Sequence, residues 1–352
     1  MDIISRRQFV GATAGTIALL ALNNQAFAKS EPVQGWETRR QVNPAIDNMR
    51  VVCAVNPAMI TKAPTSWEME QQNEVISVEQ VDRTLDAMAV TLSQKTNPGD
   101  AWATIFQKPQ DKTWSAVKVA IKVNCNSKNN GRLAVISKVC RQLNALGVPM
   151  ANIIIYDGRS NAKGNYARFV NKGLPEGVIV SDANKALGGM TKIALPWHKT
   201  DTYACTADIA NGKIDIIVNV ANNKGCDPNF GKATLTLKNH AGTFNPLPLH
   251  FGGGMDYLLA FNKSRAIMGD KTPRQQLCIV DSLWGMVKGP FGVPEKQLDR
   301  LVMGTFAPSV DYLTATKIRE PLLGATHNQI TRFLTDFGYE TKEAGDFIMA
   351  SV

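Results

Sequence analysis

The chain has 352 residues, of which 44% are hydrophobic and 20% are charged. This composition excludes a disordered protein, and 27 Gly and 17 Pro without a period exclude a collagen-like one. Lys and Arg total 39 against 30 Asp and Glu, and the resulting formal charge of +9 permits an anionic partner. Six Cys in a chain of this length do not make the dense disulfide framework of small secreted domains.

Residues 1–28 have the organisation of an export signal. Arg6 and Arg7 precede a short apolar run over 11–22, and Ala26-Phe27-Ala28 forms an A-x-A cleavage site. The run is too short to cross a bilayer, which requires about 20 apolar residues. Adjacent arginines followed by Gln-Phe-Val resemble the twin-arginine (Tat) signal, whose substrates fold before export, often around a cofactor. We therefore expect the Tat machinery to deliver the chain to the periplasm, with cleavage after Ala28 and no stable membrane anchor afterwards.

The remaining chain alternates between strand-like and helix-like patterns. Residues 29–49 are polar, and we interpret them as a connecting arm. The predicted strands cover 50–55, 117–124, 152–157, 214–220 and 277–281. The predicted helices cover 78–92, 135–146, 310–318 and 330–337. This alternation predicts one large α/β domain over 50–352, with a largely parallel sheet covered by helices on both faces.

Polar residues of ligand-binding types follow several predicted strands. Open α/β sheets bind ligands at the carboxyl ends of their strands, although each of these residues is also common in turns. We expect a small anion to bind to ammonium and amide groups there, contributed by Lys122, Asn124, Asn222, Lys224, Lys232, Lys238 and Asn239. Groups that would move protons or hold a metal at this site are Asp157, His240 and Asp281.

The stretch 222–242 invites comparison with the phosphate-binding P-loop, G-x-x-x-x-G-K-[ST]. Gly225 and Gly231 enclose five residues rather than four, and Ala233 takes the place of the metal-binding hydroxyl. Alternating Thr and Leu over 234–237 also predict a strand where a P-loop requires a helix. The P-loop is therefore excluded, and two interpretations remain: a basic loop that binds an anion, or an ordinary solvated one.

The His and Cys residues give no complete metal-binding motif. His240 and His250 share a Gly- and Pro-rich region, where they either form a metal site with Cys226 or an Asp, or make structural hydrogen bonds. The absence of C-x-x-C argues against a ferredoxin-type iron–sulfur cluster, and the cofactor stays open. Basic and aromatic residues are not interleaved, so we do not expect nucleic acid as a partner.

Several short motifs resemble the bacterial and archaeal family called domain of unknown function 362. These are VAIKVN at 119–124, IIIYD at 153–157, IDIIVN at 214–219, TLTLKNHAG at 234–242, IVD at 279–281, GP at 289–290 and APSVD at 307–311. The resemblance implies an α/β fold and places a family Lys close to Lys224. Many family members also carry cysteine-rich ferredoxin segments, which this chain lacks.

Two functions from different classes remain open. The first is an exported enzyme or cofactor-dependent protein that acts on a small anionic substrate, favoured by the polar strand ends and the Tat-like signal. The second is a non-catalytic binding or maturation protein of the cell envelope, favoured by the lack of a recognisable catalytic set.

Overall fold

The computed structural model describes residues 28–29, 39–158, 161–195, 203–226, 232–345 and 347–352. The predicted signal residues Arg6 and Arg7 lie outside the described residues. Within these ranges, no helix has the length and apolar character needed to cross a membrane.

The strands of the described residues, in chain order, are β1 (Ala28–Lys29), β2 (Val51–Val55), β3 (Val119–Lys122), β4 (Ile153–Asp157), β5 (Ile179–Asp182), β6 (Met190–Ala194), β7 (Ala204–Thr206), β8 (Ile216–Asn222), β9 (Lys224–Gly225), β10 (Ala233–Thr234), β11 (Gln275–Gly285), β12 (Lys296–Gly304) and β13 (Phe347–Ala350). Eight of them form the main sheet, in the spatial order β13-β2-β12-β11-β8-β3-β4-β5. Only β12 runs antiparallel to the other seven. The prediction of a largely parallel α/β sheet is therefore confirmed.

The α-helices of the described residues are α1 (Met69–Glu74), α2 (Val78–Ser93), α3 (Pro98–Ile105), α4 (Leu133–Ala145), α5 (Asn161–Tyr166), α6 (Ala183–Ala186), α7 (Ala207–Ala210), α8 (Thr236–Asn239), α9 (Gly254–Asn262), α10 (Arg265–Met268), α11 (Ala307–Thr314), α12 (Glu320–Leu323) and α13 (Arg332–Thr335). Two π-helical segments, Leu249–Gly253 and Ala315–Arg319, lie before α9 and after α11. Short 3₁₀ turns cover Pro57–Met59, Trp114–Ala116, Met150–Asn152, Ala167–Phe169 and Thr341–Glu343.

Helices cover both faces of the main sheet, as the alternating side chains of a strand require. Within β8, Ile216, Val218 and Val220 pack into one buried cluster together with α2 and α4. Ile217 packs into the cluster on the opposite face, which contains α9 and α11. Each face of the sheet therefore has its own hydrophobic core, within one domain.

Local signals explain where α2 begins and ends. The side chain of Ser77 accepts a hydrogen bond from the backbone N–H of Gln80, which satisfies one free donor of the first turn. The helix ends at Ser93, and the capping residue Gln94 that follows has a φ of 56°, in the left-handed region. The predicted helical face of Val81, Leu85 and their neighbours is buried.

Two helix predictions and one strand prediction need correction. The expected helix over 310–318 is α11 followed by a π-helical segment, and only Arg332–Thr335 of the expected 330–337 is α-helical. The strand expected from the alternation at 234–237 is wrong, because α8 begins at Thr236. The carboxylate of Asp311 accepts hydrogen bonds from the backbone N–H groups of Thr236 and Leu237, at 2.8 and 2.7 Å. Since this cap comes from a distant part of the chain, the local pattern could not reveal the helix.

The described part of the predicted connecting arm, residues 39–49, packs on the domain. Val42 and Ile46 are buried in the two hydrophobic clusters. The buried Asn48 accepts from the backbone N–H of Val42 and donates to the Tyr339 hydroxyl, at 2.8 and 3.0 Å. This part of the arm thus contributes to the core.

Candidate functional site

Four neighbouring parallel strands reach the same edge of the main sheet, where β8, β3 and β4 end and β11 continues past its predicted end at 281 to Gly285. In spatial order they are β11, β8, β3 and β4. Strand pairing sets Asp281 opposite Asn222, so these two predicted residues are neighbours. It also sets Lys122 opposite Tyr156, the residue that precedes the predicted Asp157. We call this region the carboxyl-end edge, and it comprises Lys122, Asn124, Asp157, Asn222, Lys224 and Asp281.

Lys122 forms a buried ion pair at the end of β3. Its Nζ lies 2.8 Å from Oδ1 of Asp157 and also donates to the carbonyl of Val123 at 2.7 Å. A third, longer hydrogen bond reaches Oδ1 of Asn239 at 3.3 Å. Asp157, which is partly exposed, accepts the backbone N–H of Cys125 on its other oxygen. The charge of Lys122 is therefore balanced within the protein.

Lys224 is fully buried, and no carboxylate of the described residues pairs with it. Its Nζ donates to Oδ1 of Asn124 at 2.8 Å, Oγ of Ser127 at 2.7 Å and Oδ1 of Asn126 at 3.3 Å. All three acceptors are neutral. Burial lowers the pKa of Lys224 to about 7, an effect to which the nearby cations Arg132 and Lys122 add.

Arg132 is the last residue of the loop that follows β3, directly before α4. Its backbone N–H donates to Oδ2 of the buried Asp281 at 2.9 Å, and Nη1 lies 3.6 Å from the same oxygen. The guanidinium stacks over Trp284 at 4.6 Å from the ring centre, a favourable cation–π contact. Its Nε and Nη2 find no hydrogen-bond partner in the part of the chain that the structure describes, although the side chain is buried.

Asn222 is the second polar group that the protein leaves unsatisfied at this edge. Its side chain is fully buried, and among the described residues neither Oδ1 nor Nδ2 has a hydrogen-bond partner. The buried Asn129 and Asn130 each have one unpartnered amide atom as well. Such groups are rare in proteins, because each costs about 1–3 kcal/mol. Several unused donors and acceptors beside one another are typical of a site that receives a polar ligand.

The buried charges of this region do not cancel. Lys122 pairs with Asp157 and Arg132 lies against Asp281, whereas Lys224 adds a third cation. Burial and the nearby Asp157 raise the pKa of Cys125 well above its usual value, so that thiol is neutral. Among the described residues, the ammonium form of Lys224 therefore has no counterion, and an anionic ligand would balance its charge.

His240 was expected to carry protons or bind a metal, but the structure gives it a structural environment. It is fully buried, with Nε2 at 2.6 Å from Oε1 of Gln275 and Nδ1 at 3.1 Å from Oγ1 of Thr243. Burial lowers its pKa to about 3, and the ring is neutral at physiological pH. Because protein atoms engage both ring nitrogens, neither is left for a metal ion.

The other candidate metal ligands are not gathered into a metal site. His250 is exposed in the π-helical segment before α9, and Cys226 is half-buried beyond β9. Across the described ranges, no group of three or more His, Cys, Asp or Glu has the arrangement of a metal site. The expected combination of His240, His250 and Cys226 is therefore not supported.

The predicted residues of the 232–239 stretch separate in the structure. Asn239 supports Lys122, accepting from its Nζ and donating to the carboxamide of Asn219 at 2.8 Å. Lys238 is half-buried beside it on α8. Lys232 points elsewhere, with its Nζ 3.5 Å from Oγ1 of Thr326.

Of the loop over 124–132, sequence reasoning identified Asn124 but missed Asn126 and Ser127, the other partners of Lys224, as well as Arg132. Four of its nine residues are Asn. That concentration of amides directly after a strand was the available signal. Two surface cavities, of about 380 and 570 Å³, share no residue with the carboxyl-end edge.

Comparison of the chain with family models, curated proteins and solved structures gives no match. The interpretation of the site therefore rests on its own geometry.

Proposed function

We propose that the protein binds a small anion at the carboxyl-end edge, through Lys224, Arg132 and Asn222. The observation that carries this proposal is the buried ammonium group of Lys224, whose hydrogen-bond partners among the described residues are all neutral. The neighbouring cations Lys122 and Arg132 have Asp157 and Asp281 as counterions. An anionic group would balance the remaining charge and use the donors that the protein leaves free.

The free donors favour a planar or tetrahedral oxyanion, such as a carboxylate or a phosphate group. A guanidinium with Nε and Nη2 both available can donate two parallel hydrogen bonds to two oxygens of such a group. The amide of Asn222 supplies a further donor and an acceptor. A metal cofactor is not part of the proposal, since the candidate ligands are apart.

The enzyme hypothesis has one specific observation in its favour. A lysine with a pKa of about 7 is able to take up or release a proton near neutral pH, as a general acid or base must. Lys224 is therefore the residue to which we assign proton transfer if the bound anion is a substrate. Asp157, partly exposed at the same edge, is the nearest candidate for a second proton-transfer group.

The cellular setting belongs to the same proposal. The paired arginines and the A-x-A site of residues 1–28 support export by the Tat machinery to the periplasm. The motifs at 119–124, 153–157 and 234–242 support kinship with the family called domain of unknown function 362.

Titration calorimetry with acetate and with inorganic phosphate tests the anion site. We expect the unmodified chain to bind at least one of them, and Lys224→Met to weaken binding at least about tenfold, since a charge-assisted hydrogen bond contributes ~1.5–3 kcal/mol. Asn222→Leu is a second variant that keeps the buried volume and removes only the amide. The matched control is Lys118→Met, an exposed lysine before β3.

Native mass spectrometry of the purified chain extends this test to ligands acquired in the cell. A bound small molecule that is lost in Lys224→Met and kept in Lys118→Met supports the proposal. The proposal is overturned if neither anion binds and no ligand copurifies, or if both site variants bind as the unmodified chain does.

A further inference from the structure

A second buried cation without an ion-pair partner lies near the end of β8. Arg319, at the end of the π-helical segment after α11, is fully buried. Its Nη1 donates to Oδ1 of Asn223 at 2.5 Å and to the carbonyl of Met286 at 3.1 Å. Its Nη2 has no hydrogen-bond partner. Among the described residues, no carboxylate lies within 4.0 Å of this guanidinium.

A neutral imidazole and a second cation lie beside Arg319. Its Nε donates to Nε2 of His327 at 3.3 Å, which fixes that nitrogen as an acceptor. The side chain of Lys232 is near enough for its charge to act on the same imidazole. His327 and Lys232 are both partly exposed, so this group of residues reaches the surface. We call Arg319, His327 and Lys232 the Arg319 cluster.

One carboxylate, that of Glu295, acts on Arg319 through space. Glu295 is exposed, and its Oε2 accepts the backbone N–H of Val287 at 2.7 Å, so it is engaged elsewhere. The Cys226 thiol also acts on Arg319 through space, and among the described residues the two cations of the Arg319 cluster face this thiol and one exposed carboxylate. A buried guanidinium is normally matched by an anion, because removing its hydration costs several kcal/mol.

We propose that the Arg319 cluster is a second binding site for an oxyanion, separate from the carboxyl-end edge. The anion would accept from Nη2 of Arg319 and from Nζ of Lys232, whose present contact with Thr326 is long at 3.5 Å. The imidazole of His327, which accepts at Nε2, presents its Nδ1–H as a further donor. Three donors of this kind suit the oxygens of a phosphate, sulfate or carboxylate group.

The two sites use different residues near the end of β8. Asn222 is the last residue of β8, and Asn223 is the next residue, outside the strand. Asn223 accepts a hydrogen bond from Arg319. Asn222 instead pairs with Asp281, the residue whose carboxylate contacts Arg132. The Arg319 site therefore does not depend on the proposed function of the carboxyl-end edge.

NMR spectroscopy of the histidine side chains tests the second site directly. The chain has four His, and the His327 signals are assigned by their loss in His327→Gln. We expect phosphate, sulfate or acetate to shift the ring signals of His327, and the three titrations identify the oxyanion that binds best. The anion affinity obtained from these shifts should fall at least about threefold in Lys232→Gln and at least about tenfold in Arg319→Lys.

Lys317→Gln is the matched control, because Lys317 lies in the same π-helical segment and is exposed. The inference is overturned if none of the three anions shifts the His327 signals, or if Lys317→Gln weakens the response as much as Lys232→Gln does. It is also overturned if Lys224→Met abolishes the His327 response, since the response would then originate at the other site. Arg319→Lys could fail to fold, in which case Lys232→Gln alone decides the result.

Discussion

A buried lysine without a carboxylate partner is costly for a folded protein, because the ammonium group loses its hydration. Lys224 has this environment, and its three neutral acceptors recover only part of that hydration. The cost is consistent with a site where stability is sacrificed for binding, since an apolar side chain would be more stable there. The buried amide of Asn222, which has no hydrogen-bond partner among the described residues, likewise costs stability.

The pH dependence of stability should reveal Lys224. Its pKa is about 7 in the folded chain and 10.5 ordinarily, so between these values the unfolded chain binds more protons. The free energy of unfolding then rises with pH across this window, by up to about 1.4 kcal/mol per pH unit. We expect Lys224→Met to lose this contribution, as measured by urea denaturation between pH 6 and 10. The charged or titratable groups that face Lys224 are Cys125, Asp157, Arg132 and Lys122.

Lys118→Met serves as the control, since Lys118 is exposed and should not alter the pH slope. An identical slope in the unmodified chain and in Lys224→Met would show that Lys224 is not the group that titrates.

At the level of elements, α8 depends on a side chain from another helix. The helix has only four residues and no side-chain cap of its own. Asp311 of α11 accepts from the first backbone N–H groups of α8, although burial raises the pKa of its carboxyl to about 7. The helix in turn carries Asn239, which contacts Lys122. Asp311 therefore acts on the carboxyl-end edge indirectly, through the backbone of α8 and the side chain of Asn239.

We predict that Asp311→Ala lowers the free energy of unfolding by about 1–3 kcal/mol, because two buried backbone donors lose their acceptor. Amide hydrogen exchange should show the largest loss of protection at α8. The control Asp256→Asn alters an exposed carboxylate on α9, and a change within about 0.5 kcal/mol is expected. Unchanged protection at α8 in Asp311→Ala would contradict the capping role.

At the scale of the whole molecule, the sequence correctly predicts those strands whose signal lies in a short run of neighbouring residues. The runs that became β2, β3, β4, β8 and β11 are buried on both faces, and their continuous apolar character predicts strands. β12 was missed because its first half is polar and partly exposed, with Asp299 in a left-handed conformation. The rule for parallel sheets correctly placed Lys122, Asp157, Asn222 and Asp281 at one edge.

The details of the site depend on contacts that no local pattern contains. Lys224 and its acceptor Asn124 are 100 residues apart, and Arg132 reaches Asp281 across 149. Which lysine has a carboxylate partner and which lacks one is decided only by these distant contacts. For the same reason, the sequence could not separate Lys232 from Lys224 or reveal that protein atoms engage both nitrogens of His240.

Anion binding should be linked to proton uptake and to the stability of the entire domain. An anion beside Lys224 favours its charged form, so binding should be tighter below pH 7 than above it. A ligand that binds only the folded chain raises its stability by RT ln(1 + [L]/Kd). We therefore expect the binding anion to raise the melting temperature more at pH 6 than at pH 9, and this difference to vanish in Lys224→Met. Scanning calorimetry at matched ionic strength, with chloride as the reference anion, separates this effect from general screening. An equal rise at both pH values would mean that the anion does not interact with the Lys224 ammonium group.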